Sequence, residues 1–122
     1  MTPKELVLKY VEAFNNVDIE ALTGLYADDA VNHQVVTEPI IGKEAIGKMF
    51  EYELVKTPMV CLVENIFEKD EWVVLEWKEP LGFRGCEIFH IINGKIKLQR
   101  GYYDTISFLK EHGLPNPNGL KK

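Results

Sequence analysis

Cysteine is scarce in this chain, with two residues, Cys61 and Cys86, in 122. Two thiols cannot supply the disulfide framework of a small stapled domain, so a reducing, cytoplasmic setting is expected. No apolar run approaches the roughly 20 residues of a membrane span. The opening residues, MTPKELVLKY, lack the apolar core of a signal peptide, so neither a membrane nor a targeting segment is expected. Basic residues are in the minority, 14 Lys+Arg against 19 Asp+Glu for a net charge of −5. Such a surface repels a phosphate backbone, which argues against nucleic-acid binding by charge neutralisation. The three histidines have no metal-ligand spacing, and neither a metal nor another cofactor is expected. Internal repeats, low-complexity tracts and linkers are absent as well.

What is present is an ordinary globular mixture, 46% hydrophobic and 27% charged, which excludes disorder as the main state. A chain of 122 residues reads as one domain, 1–122, able to bury roughly two-thirds of its unfolded surface.

Helical periodicity fills the first half and β-rich runs the second, an α+β order. Thr2, Pro3 and Glu5 have the spacing of a capping box with proline at the first helical position. The helix they open has the apolar stripe Leu6, Val7, Tyr10, Val11 and Phe14, and Asn15-Asn16 stops it. Asp18 caps a second helix facing inward with Ala21, Leu22, Leu25 and Tyr26 and ended by Asp28-Asp29. A strand from Ala30 to Val36 leads through Glu38-Pro39 to a third helix with Ala45, Ile46, Met49, Phe50 and Leu54 inward. Met59–Glu68 and Glu71–Glu79 predict a hairpin, and Pro80-Leu81-Gly82 breaks the chain after it. Gly85–Ile92 and Lys95–Tyr103 predict a second hairpin about Asn93-Gly94, the strongest short hairpin signal. Asp104-Thr105 caps a short last helix, Ile106 to His112, closed by Gly113 and Pro115 and followed by a polar tail.

Both faces of the late strands are apolar: Ile88 and Ile92 oppose Phe89 and Ile91, and Trp72 and Val74 oppose Val73 and Leu75. An antiparallel sheet with one wet face alternates cleanly, so both faces here need cover. Helices cover one, and a second copy of the chain is the expected cover for the other, making a homodimer.

Two stretches, YVEAFNNVDIEALTGLYADDAV and INGKIKLQRGYYD, resemble the nuclear transport factor two-like superfamily in its SnoaL-like and steroid isomerase-like branch. The resemblance runs from about Leu6 to Asp104. It implies a cone-shaped fold in which three N-terminal helices pack on a curved, mostly antiparallel sheet with a short C-terminal helix. It implies a pocket for a small apolar ligand inside the cone. In steroid isomerases a helical Tyr and a neutral acid on a late strand hold an oxyanion, while a separate Asp removes the proton. Tyr10 and Glu87 match the first two positions, and Gln34 stands at the third, where an amide cannot act as base. Against the epoxide-hydrolase pattern, Glu79 matches one Asp and Asn32 with Gln34 the water-holding places. Trp77 and Gly101 stand where that pattern has Arg and the second Asp.

Each candidate also has a structural reading. Tyr10 is either a hydrogen-bond donor in the pocket or a core tyrosine. Asn32 and Gln34 share a strand face and bind either ligand or the backbone near Thr37-Glu38. Glu79 and Glu87 flank the loop at residues 80–85 and either point inward as a catalytic acid/base pair or reach solvent at the rim. Trp77, Phe89 and Tyr103 either line the pocket as ligand-binding residues or are plain core. His33 and His90 read as outer-face residues, His112 as a helix C-terminal cation, Asp104 as a cap, and the cysteines as small hydrophobes. The function expected is that of a SnoaL-like enzyme on an apolar, carbonyl-bearing or cyclic compound. Glu79 or Glu87 would act as acid/base and Tyr10 as donor. The alternative is a non-catalytic ligand-binding or dimerisation module, and a buried carboxylate facing the pocket separates the two.

Overall fold

Helix α1 (Pro3–Asn15) begins where the capping box places it: the Thr2 hydroxyl accepts from the Glu5 N–H at 3.1 Å and the Glu5 carboxylate from the Thr2 N–H at 2.8 Å. Asp18 caps α2 (Ile19–Gly24), accepting from the Ala21 N–H. The chain continues as β1 (Tyr26–Gln34), β2 (Ile40–Ile41), α3 (Lys43–Lys56), β3 (Leu62–Lys69), β4 (Trp72–Lys78), β5 (Arg84–Ile92), β6 (Lys95–Tyr103) and α4 (Thr105–Glu111). This is a computed structural model, and it describes residues 1–111 and Gly113. His112 and the polar tail lie outside the described residues.

The strands form one sheet in the order β2-β1-β6-β5-β4-β3, antiparallel except that β1 runs parallel to β6. Leu6, Val7 and Tyr10 of α1 and Ile46, Phe50 and Leu54 of α3 bury their side chains in one cluster with Val73, Leu75, Phe89, Ile91 and Ile96 of the sheet. Tyr10 sits at its centre, its ring 5.1 Å from Phe89, 5.9 Å from Phe14 and 6.4 Å from Phe50. Such aromatic pairs add to the area they bury.

Several boundaries differ from expectation. The stretch AlaAspAspAla is strand rather than helix end, so Tyr26 belongs to β1 and not to the face of α2. Across the parallel pair Lys97 holds Asp29 in an ion pair, which fixes these polar residues in a strand. Strand β3 begins at Leu62, three residues after Met59. On α3, Ala45 is exposed and Gly47 takes the inward place, where an added Cβ would come within 2.9 Å of the Thr23 hydroxyl.

Cross-strand rows set the interior. One runs Asn32–Gln99–Phe89–Val73, the next Gln34–Gly101–Glu87–Leu75. Their alignment depends on a bulge: Ile96 pairs with Ile91 and Leu98 with His90, leaving Lys97 as an extra residue on β6. A bulge inverts the side-chain alternation beyond it. Ile96 and Gln99 are therefore both buried on the inner face.

The outer face carries Trp72 stacked on His90 at 4.1 Å, with Val74, Ile88 and Ile92 half-buried nearby. Phe67, which pairs with Val74, is 62% exposed. His90 also meets Glu71 at 3.2 Å, and His33 pairs in register with Arg100. These histidines lie on the outer face, as expected.

The segment before β3 is held by one side chain. Asn15 donates to the Cys61 carbonyl at 2.9 Å and accepts from the Cys61 N–H at 2.7 Å. Removing both bonds leaves backbone groups without partners, at a cost of about 1–3 kcal/mol. Asn15→Ala should lose stability of that size in urea unfolding, whereas Asn16→Ala, one residue on, should be nearly neutral.

Candidate functional site

A cavity of about 100 Å³ lies between α1, α3 and the inner face of the sheet. Phe14, Met49, Phe50, Met59, Phe83 and Trp77 make most of its wall, and Tyr10, Asn32, Gln34, Glu87 and Gln99 make a polar floor. A mostly apolar pocket with a few converging polar groups is the usual form of a small-molecule site.

Glu87 is the chemical centre of that floor. It is 5% exposed, and Lys, Arg and His are absent from the cavity lining among the described residues. Three neutral N–H groups serve its carboxyl. Gln34 Nε2 at 2.9 Å and Gln99 Nε2 at 2.7 Å donate to Oε1, and Trp77 Nε1 at 3.2 Å donates to Oε2. Burial pushes the carboxyl above the usual carboxylate range, while the bonds from Gln34, Gln99 and Trp77 pull the other way.

Gln99 ties the floor together. Its Nε2 donates to Glu87 and, at 3.1 Å, to the Tyr10 hydroxyl, and its Oε1 accepts from the Tyr26 hydroxyl and from Asn32 Nδ2. Asn32 Oδ1 accepts from Gln34 Nε2 at 2.8 Å, which closes the ring back to Glu87. Because Tyr10 Oη accepts from Gln99, its own hydrogen is available to a ligand in the cavity. Burial, then the charge of Glu87, holds the Tyr10 hydroxyl well above its ordinary value, so it remains a donor. Tyr103 at the cavity wall is raised for the same reasons, and burial pushes the Cys61 thiol to about 12, too high for a thiolate nucleophile at neutral pH.

Two glycines make room for these groups. A Cβ on Gly101 would stand 1.9 Å from Gln34 Oε1 and 2.4 Å from Glu87 Oε2. Gln34 and Glu87 flank Gly101 on neighbouring strands and lean over it towards each other. The Trp77 ring likewise crosses Gly85, whose Cβ would meet Trp77 Cζ2 at 2.6 Å. Glycine inside a strand often marks such a close approach.

The floor brings together Tyr10, Asn32, Gln34 and Glu87, with Trp77 and Tyr103 in the wall. Glu79 and Phe89 do not line the cavity. Glu79 continues the inward alternation of β4, but its carboxylate accepts from the Leu81 N–H at 3.0 Å and holds the loop that returns to β5. Phe89 lies beneath the Tyr10 ring, fully buried, as core. Asp104 caps α4 through the Ile106 N–H at 3.0 Å. Gln99, Tyr26 and Glu53 were not expected: the first two complete the network, and Glu53 of α3 is a second carboxylate in the lining. The extra residue at Lys97 hides Gln99, because alternation counted from Asn93-Gly94 turns it outward.

The SnoaL-like domain family profile matches residues 7–99. Among solved structures, an NTF2-like protein of unknown function from Cytophaga hutchinsonii is 19% identical, covers 89% of this chain and 96% of its own, and has a TM-score of 0.78. An LEH-like epoxide hydrolase from M. tuberculosis is 21% identical, covers 89% and 87%, and has a TM-score of 0.78. A putative polyketide cyclase from Pseudomonas putida is 21% identical, covers 91% and 98%, and has a TM-score of 0.75. At these identities the likeness is one of fold. A search of curated proteins finds no match.

The raised pKa of Glu87 sets a pH dependence. Its folded value lies above the model-peptide value of 4.5, so the native state holds the proton more tightly than the unfolded chain. That contribution to stability is whole below about pH 4.5 and is lost as pH rises through the folded value. Urea unfolding across this window should show the stability of the protein falling with pH relative to Glu87→Gln, a fixed neutral mimic. A difference that grows with pH would contradict the raised value.

Proposed function

The chain belongs to the SnoaL-like domain family, and from that membership and the setting of Glu87 we propose that it is an acid–base enzyme for compact apolar carbonyl compounds. The observation that carries this is a buried carboxyl on the floor of a mostly apolar cavity, with no cation in the lining among the described residues. A neutral acid in such a place donates a hydrogen bond to a carbonyl, and the Tyr10 hydroxyl supplies a second donor. Charge that develops on the carbonyl oxygen as an adjacent C–H bond is broken is thereby stabilised. The proton acceptor we assign is Glu53, the other carboxylate of the lining. Glu79, committed to the loop backbone, is left out. Asn32 and Gln34 hold the floor, and Trp77 and Tyr103 contact the ligand body.

The cavity, about 100 Å³, is smaller than the engineered cavities of about 150 Å³ that admit benzene, so it favours compounds no larger than a single small ring. We propose further that a second copy covers the outer sheet face, on the evidence of the exposed Phe67 and Trp72. Sedimentation at micromolar concentration should show twice the 14.0 kDa chain mass. No helix among the described residues is long and apolar enough to cross a membrane. Cys61 and Cys86 are both unpaired, which supports the cytoplasm as its place.

The test is exchange of α-protons of a cyclic ketone in D₂O, followed by NMR. The protein should accelerate exchange, and Glu53→Gln should reduce it by about 10²-fold or more, the scale of a general base, with ketone affinity little changed. Tyr10→Phe should weaken affinity for the ketone but not for its deoxy analogue. Ketone binding without any exchange would instead establish a non-catalytic binding module.

A further inference from the structure

We infer that Gln34 is the positioning residue that keeps the proton on Glu87, through a two-point pairing of carboxamide with carboxylic acid across Gly101. The inference rests on the acid role proposed for Glu87.

Gln34 Nε2 donates to Glu87 Oε1 at 2.9 Å. The other ends of the two groups, Gln34 Oε1 and Glu87 Oε2, both crowd the place that a Cβ on Gly101 would take, 1.9 and 2.4 Å from that position. Two acceptor oxygens brought together in a buried site repel one another unless a hydrogen lies between them. Asn32 decides which end of Gln34 faces which. Its Oδ1 takes the second hydrogen of Gln34 Nε2 at 2.8 Å, and its Nδ2 is committed to Gln99 Oε1. The amide therefore presents its carbonyl to Glu87 Oε2. An O–H on that oxygen closes an eight-membered ring of two hydrogen bonds, the pairing that acids and amides form spontaneously.

Oε2 is also the oxygen with room for the proton. Oε1 already accepts two N–H groups, whereas Oε2 accepts only the Trp77 N–H. The titratable groups that face Glu87 leave this balance alone. Tyr10 of α1, Tyr26 of β1, Cys61 before β3 and Tyr103 of β6 all have their acidity suppressed by burial and are neutral at physiological pH. Glu53 of α3 lines the same cavity. A ligand carbonyl then takes the proton's hydrogen bond over from Gln34 Oε1, so the acid is neutral before substrate arrives.

The two accounts of the raised pKa give opposite signs. If burial alone holds the proton, Gln34 acts as a donor to the carboxylate, and removing it raises the midpoint further. If the pairing holds it, removing Gln34 lowers the midpoint. The full chain labelled with ¹³C at glutamate side-chain carboxyls is titrated by NMR without ligand, and Glu87 is assigned by its loss in Glu87→Gln. Gln34→Met keeps the length of the side chain and removes both hydrogen-bonding atoms. It should lower the Glu87 midpoint by about one pH unit, a tenfold loss of proton affinity. A midpoint unchanged or raised overturns the inference.

Gly101→Ala, which drives a methyl between the two oxygens, should shift the midpoint in the same direction. In Gln34→Glu the two carboxyls should share one proton and titrate in two separated steps. A single step in the range of the surface glutamates would count against the pairing, and these two variants decide the matter if Gln34→Met does not fold. No substrate enters the measurement, so absence of ketone exchange leaves its outcome intact, and the two proposals fail separately.

Discussion

A carboxyl group removed from water with no cation beside it can be satisfied only by hydrogen bonds, and each group that provides one must itself be held in place. Glu87 imposes this condition on the interior of the sheet. Gln34, Gln99 and Trp77 turn their N–H groups to it, and Tyr10, Tyr26 and Asn32 fix the amide that reaches it from β6. No buried side-chain nitrogen or oxygen among the described residues is left without a partner. A network satisfied to that extent is rigid, whereas a half-satisfied one would cost more than an apolar core. Rigidity of this kind is what a site must have if its donors are to be aimed before the ligand enters.

The sheet pays for this geometry in glycine. On an inner face otherwise filled by Val73, Leu75, Phe89 and Ile91, positions 85 and 101 carry no side chain, and the indole and the Gln34–Glu87 contact occupy the space. In the next row Asn32 and Gln99 still reach the cavity, whereas Phe89 does not, because the Tyr10 ring closes over it. Two residues along β5 thus separate the polar floor at Glu87 from the packed core at Phe89.

Much of this was legible in the residues. The Thr2–Pro3–Glu5 spacing, the Asp18 cap and Asn93-Gly94 are local chemistry, and each places its element within a residue or two. Alternation puts Glu87 on the strand face of Phe89 and Ile91 but leaves the inward and rim readings open, and the fold buries it. Two kinds of feature escaped local reading. The bulge at Lys97 is a property of the β5–β6 pairing, and with it went the inward placement of Gln99. The fate of Glu79 was decided by a loop backbone that needed an acceptor, since alternation brought it inward as readily as Glu87. Tyr26 was assigned to a helix because AlaAspAspAla reads as a terminus, while its parallel pairing with β6 makes it strand.

The account stands or falls on where a carbonyl oxygen comes to rest. Crystals of the protein soaked with cyclohexanone, and separately with methylcyclohexane, test it most directly. The account predicts the ring against Phe14, Phe50 and Trp77 with the ketone oxygen within hydrogen-bond distance of both Tyr10 Oη and a Glu87 carboxyl oxygen. It predicts the hydrocarbon, if bound, in the same wall with no fixed orientation. A ketone whose oxygen points to the cavity mouth, with the contact between Gln34 and Glu87 unbroken, would contradict it.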